Sequence, residues 1–247
     1  MTVELATYTE AIADHSARIA AAASAHLDEP IEHCPGWTMA DLVQHLTEVQ
    51  WFWATVVEQR LLERPRDGRP TGIDRSELVD RFVRGSEHLA HVLGDSDQKT
   101  RVYTWAPQQQ NVAFVTRHQV QEVVVHHWDA AHAAGVDFTV DPAVAADSID
   151  EFLTFSISND NDPIDPPGTV LGGSLGLKCT DVDRSWTVLE GDAPSTVRFV
   201  DGIEAGTPLI TGSSSDILLW LYSRIELARD ERAEELGGRF RQLCFTD

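Results

Sequence analysis

Apolar positions in the first half of the chain recur at helical spacing. Leu5, Tyr8, Ile12, Ile19 and Ala23 fall on one face and predict an amphipathic helix that stops before Pro30. A turn-like segment follows, His33-Cys34-Pro35-Gly36-Trp37, with Trp37 placed to anchor it. Thr38 then stands at an N-cap position with Asp41 three residues on, and Leu42, Leu46, Val49, Trp53 and Val56 mark a second helix reaching about Leu62. His45 lies at the edge of that stripe. Arg64 to Gly72 reads as an exposed loop. Beyond it Asp74, with Glu77 at the capping-box position, opens a third helix that buries Leu78, Phe82, Leu89 and Leu93. A fourth runs from about Asn111 to Ala134 and closes near Gly135. Four helices of this length predict a bundle.

The pattern changes after Val136. Asp141-Pro142 opens a further helix carrying Val144, Ile149, Phe152 and Phe155, and a Pro/Gly-rich stretch from Asp162 to Gly173 then breaks it. Ser174 to Thr180, Ser185 to Glu190, Thr196 to Val200 and Thr207 to Thr211 alternate as half-buried strands do, and Ser213 starts a helix through ILLWLYSRIEL. The expected fold is α+β in two domains: a four-helix bundle over residues 1–138 and a smaller α+β domain over 139–247. No internal repeat interrupts this division.

Composition narrows the partners. Over 247 residues, 19 Lys and Arg face 40 Asp and Glu, a net charge of −21 that would repel a phosphate backbone and anionic lipid alike. Nucleic acid and membrane are therefore excluded as expected partners. No basic-then-apolar leader opens the chain and no run is long enough to span a bilayer, so a cytoplasmic location is expected. The cysteines, Cys34, Cys179 and Cys244, lack both pairing and metal spacing; Cys34 reads as a packing residue in a turn, with a reactive thiol as the alternative.

Candidate chemistry concentrates in QEVVVHHWD. Glu122 and His126 are four apart and share one helix face, which also carries His118 and Asp129, while Val120, Val123, Val124 and Val125 make the surrounding surface apolar. Such a helix is mostly buried, and buried carboxylates and imidazoles need partners. With His45 as a third donor, His45, Glu122 and His126 form a two-His, one-Glu set suited to zinc or a similar divalent metal. A plain helical ion pair beside a core histidine is the competing explanation. His118 is the second-choice ligand, His127 points about 100° away from His126, and Asp129 is either an acceptor behind a ligand or a solvated helix end. Trp51, Trp53 and Trp128 either pack in the core or line a pocket.

Taken together, CPGWTMADLVQHL and QEVVVHHWDAAHAAG resemble the N-terminal domain of mycothiol-dependent maleylpyruvate isomerases, within the DinB-like metal-binding four-helix bundles, and TGSSSDILLWLYSR resembles the end of that family's C-terminal domain. The resemblance implies a divalent metal, zinc foremost, at His45, Glu122 and His126; mycothiol as a low-molecular-weight thiol cosubstrate; and a small-molecule electrophile as partner. It also implies a catalytic role for Arg224, whose alternative is an ordinary arginine at a helix C-terminus, and a site placed between the two domains. The family often has His before the metal Glu and Arg after the metal His, where this chain has Gln121 and His127. Isomerase and S-transferase chemistry both fit. A metal-dependent hydrolase and a non-catalytic binding module are the remaining alternatives.

Overall fold

The computed structural model describes residues 3–159, 168–227 and 230–245. The chain divides into two compact units, Met1–Thr139 and Val140–Asp247, with helices throughout and one small sheet in the second, an α+β fold. Residues 162–167 of the Pro/Gly-rich break expected over 162–173 lie outside the described residues.

The first unit contains α1 (Leu5–His26), α2 (Met39–Glu58), α3 (Leu78–Asp95) and α4 (Val112–Ala134). Each helix contributes fully buried apolar side chains, among them Ile12 and Ile19, Leu42 and Leu46, Phe82 and Leu89, and Val123 and Val124. Helix α1 packs against α4 and α3, and α2 packs against α3; the α2–α4 contact is much less extensive than these three. Polar ligands can converge on that side without displacing the main core.

Local chemistry fixes several helix ends. Thr38 and Asp41 form a complete capping box, in which Thr38 Oγ1 accepts from the Asp41 amide and Asp41 accepts from the Thr38 amide at 2.8 Å. The turn ahead of it is clamped by Ile31 N–H donating to Trp37 O and Met39 N–H to Glu29 O. Asn111 caps α4, and Gly135, at φ 66°, closes it.

Two boundaries depart from expectation. Helix α2 ends at Glu58, short of Leu62, because Arg60 turns left-handed at φ 51°. Its amide bonds Val57 O while the Leu61 amide bonds Val56 O, a Schellman closure formed without glycine. Helix α3 starts at Leu78, one turn later than Asp74 suggests. Asp74 instead accepts from both the amide and the hydroxyl of Ser76, making a local turn rather than a helix cap.

A buried histidine pair joins α1 to α4. The Nδ1 atoms of His15 and His127 are 2.8 Å apart, and Phe138 covers both rings. One ring must donate and the other accept, so the pair is satisfied only when a single proton lies between the two facing nitrogens. Burial lowers the pKa of each to about 4; for His15 Asp14 opposes the shift, and for His127 the mutual field of the pair and Arg18 add to it. Both folded values lie below the unfolded value of 6.5, so the unfolded chain binds more protons between pH 6.5 and 4. Stability is therefore complete above pH 6.5 and falls as the solution is acidified. Urea unfolding of metal-free protein should show a loss of roughly 2–4 kcal/mol from pH 7 to pH 5, with a shallower dependence in His15→Asn.

In the second unit, α5 (Pro142–Phe155) is capped by Asp141 and begins with proline at N1. Strands β1 (Leu175–Cys179), β2 (Ser185–Glu190), β3 (Val197–Asp201) and β4 (Leu209–Gly212) form a sheet of order β3-β2-β1-β4. The β1–β2 and β2–β3 pairs are antiparallel, and β1–β4 is parallel. Helix α5 ties to β2 through Asp150, which accepts from Trp186 Nε1 at 2.6 Å and pairs with Arg184. Helix α6 (Ser214–Leu221) is followed by α7 (Glu231–Arg241), an element absent from the sequence expectations. Helix α6 is also shorter than ILLWLYSRIEL suggests: Ser223, at φ 59°, takes the left-handed position, and the amides of Ser223 and Arg224 bond Trp220 O and Leu219 O.

Candidate metal centre

Helix α2 starts at its Thr38–Asp41 cap, and this sets His45 about two turns in, at the edge of the buried stripe. On α4, Glu122 and His126 are one turn apart and face the same way. The two helices bring the three side chains together. His45 Nε2 donates to Glu122 Oε1 at 2.9 Å, and His126 Nε2 lies 3.6 Å from the same oxygen. The ligand atoms of all three residues lie within 4.8 Å of one another.

That spacing fits a divalent ion. With metal–nitrogen and metal–oxygen bonds of about 2.0–2.1 Å, tetrahedral ligands stand about 3.3–3.4 Å apart, and the 2.9 Å and 3.6 Å separations from Glu122 Oε1 bracket this value. The site is partly open, since the side chains of His45, Glu122 and His126 are 32%, 20% and 13% exposed. Trp37 shields one side, its ring 5.0 Å from that of His45.

Electrostatics holds the carboxylate ready. Burial pushes the Glu122 carboxyl up, but the hydrogen bond from His45 and the fields of His126, His45 and His118 outweigh it and bring the pKa to about 2. Glu122 is therefore an anionic oxygen donor at neutral pH.

Asp129 has a side chain with no exposure, and it accepts from His126 Nδ1 at 2.9 Å. It is a buried acceptor and not a solvated helix end. Holding the proton on Nδ1 leaves the Nε2 lone pair directed at the triad, the arrangement by which outer carboxylates fix a ligating imidazole. Cys34, from the loop before α2, also approaches: its Sγ and ligand atoms of His126 and Asp129 all lie within 4.8 Å of one another. Sequence spacing alone could not show that the turn carries Cys34 to the far side of His126.

The competing histidines lie elsewhere. His118 stacks on Phe114 at 5.5 Å and meets Trp53 and Trp105 edge-on, outside both groups of converging ligand atoms found among the described residues. His127 belongs to the buried pair with His15. Trp53 is core, Trp128 stacks on His132, and Trp51 borders a cavity. Arg224, in the second unit, follows α6 and is almost buried; its Nη1 donates to Tyr222 O at 3.0 Å and its guanidinium lies over the Tyr222 ring.

Residues 8–131 match the family model described as the mycothiol maleylpyruvate isomerase N-terminal domain. The chain belongs to this family. The matched segment runs from within α1 to the last turn of α4, so the family's domain and the converging ligands occupy the same unit. No curated protein and no solved structure matches the chain. Among the described residues, no helix is long and apolar enough to cross a membrane.

Proposed function

We propose that this member of the mycothiol maleylpyruvate isomerase family is a thiol-dependent metalloenzyme acting on a small electrophile. The carrying observation is the convergence of His45, Glu122 and His126 at spacings that suit a tetrahedral ion, with Asp129 orienting His126. Zinc is the expected metal. A bound divalent ion would stabilise thiolate over thiol, so that the nucleophile exists at neutral pH.

The protein's own groups have separable tasks. Glu122 contributes the negative charge that offsets the cation, His45 and His126 contribute neutral donors, and Asp129 holds His126 in one tautomer. Arg224 is assigned to hold the substrate's anionic part on its match to the family's arginine. In the isomerase version a bound thiol would supply a nucleophile that adds reversibly to an activated double bond, its carbon–sulfur bond breaking again after rotation so that the thiol is returned. In the S-transferase version the adduct leaves intact. The first is favoured by the family match.

Metal analysis combined with calorimetric titration of mycothiol tests the assignment. The wild type should carry one divalent ion per chain and bind mycothiol with proton release, and His126→Ala should lose both. Metal uptake without thiol binding would sink the thiol chemistry and leave a hydrolase or binding module; absence of metal would sink the centre itself. With an activated alkene, recovery of free thiol marks an isomerase and accumulation of conjugate marks a transferase.

A further inference from the structure

The loop between α2 and α3 concentrates charge of the minority sign. Arg64, Arg66 and Arg69 fall within six residues of a chain whose net charge is −21. The loop is tied down: Arg64 Nε donates to Tyr103 Oη at 2.6 Å, Arg69 pairs with Glu48, and Gln44 Nε2 donates to Pro70 O at 2.8 Å. Gly68, at φ 94°, lets the backbone rest against Trp51, because a Cβ there would stand 3.1 Å from Trp51 Cζ2.

This anchoring frames a cavity of about 390 Å³, lined by Glu48, Val49, Trp51, Phe52 and Trp53 of α2 and by the three arginines and Pro65 of the loop. Three guanidiniums face one carboxylate, and that carboxylate is already paired with Arg69. Arg64 has no carboxylate partner among the described residues, and Arg66 reaches only the exposed Glu63, at 3.5 Å. A neighbouring cavity of about 740 Å³ shares Trp51, Arg64 and Arg66, but Glu63 and Asp67 balance its charge.

We propose that the smaller cavity binds a planar aromatic anion, its carboxylate or phosphate held by Arg64 and Arg66 and its ring against Trp51 and Phe52. Guanidiniums grip such groups through paired hydrogen bonds, and indole and phenyl faces accept a flat ring beside them. The volume is that of a small-molecule site. The pocket lies next to the candidate metal centre: Glu48 and Val49 follow His45 by one turn of α2, and Trp53 in the wall meets His118, one turn before Glu122 on α4. One such turn is about 5.4 Å of helix rise. The pocket does not depend on thiol chemistry.

Titration of the purified full-length protein with 1-naphthoate and 1-naphthyl phosphate, followed by calorimetry, tests this. At least one should bind saturably, the preferred one identifying the acid group, while neutral 1-naphthalenemethanol and non-aromatic hexanoate should bind at least about 10-fold more weakly. Arg66→Ala and Trp51→Ala should each weaken the aromatic anion by about 10-fold or more. Arg66 is 85% exposed, so its replacement leaves the fold intact. Equal binding of the neutral compound, unchanged affinity in Arg66→Ala, or no binding of either anion would overturn the proposal. His126→Ala should retain binding even if it abolishes metal and thiol uptake; loss there, with full binding in Arg66→Ala, would place the anion on the metal instead.

Discussion

Glu122→Gln is expected to lower divalent-metal affinity by more than about 100-fold while leaving the metal-free fold in place. The reason is a separation of charge from shape. Glutamine keeps a carbonyl oxygen that can accept from His45 Nε2, so the 2.9 Å link between α2 and α4 can survive. What disappears is the one anionic donor of the triad, held ionised by His45 and His126. Outer carboxylates behind a metal ligand typically contribute 10–100-fold to affinity, and a direct anionic ligand should exceed them. Asp129→Asn then supplies the internal comparison, with an expected loss of about 10–100-fold. Competition against a chromophoric chelator measures both, and circular dichroism monitors the fold. Unchanged affinity in Glu122→Gln would show that any bound metal sits elsewhere.

Two adjacent glycines in α7 should respond in opposite senses to the same substitution. A Cβ at Gly237 would stand 2.8 Å from Trp220 Cζ2 and 3.4 Å from its Cη2, and Trp220 is fully enclosed. The indole has no room to retreat, so Gly237→Ala should destabilise the second unit by about 1–3 kcal/mol through overpacking, even though alanine favours helix. Gly238 meets nothing within 4 Å, so Gly238→Ala should stabilise by about 0.5–1 kcal/mol. Urea unfolding followed by tryptophan fluorescence compares the two. Stabilisation by both substitutions would mean that α7 does not close on Trp220.

These glycines also explain why α7 escaped the sequence expectations. A Gly-Gly pair inside a highly charged segment lowers helix propensity, yet Asp230 caps it and Ala233, Leu236 and Phe240 bury one face. The signal was present but weak. Helix ends at Arg60 and Ser223 were harder, because a left-handed closure is normally announced by glycine or asparagine, and neither residue is one. There the surrounding contacts select a conformation that the local sequence disfavours.

The candidate site divides along the same line. Glu122 and His126 could be paired from sequence because four residues make one helical turn, a relation carried entirely by the backbone. The bundle with its caps at Thr38 and Asn111, the Asp141 cap of α5, and the change to strand alternation after Gly173 were likewise written locally, in periodicities of 3.6 and 2 and in side chains that satisfy their own helix ends. Which of ten histidines meets which partner was not. His45 reaches Glu122 across 77 positions and His15 reaches His127 across 112, and Asp129 turns inward to His126 while three arginines line one cavity with Trp51. By itself the sequence determined the helices, their buried faces and the chemical types available. Only the tertiary structure decided which polar groups were desolvated together, because that depends on how the helices pack and not on any residue's neighbours in the chain.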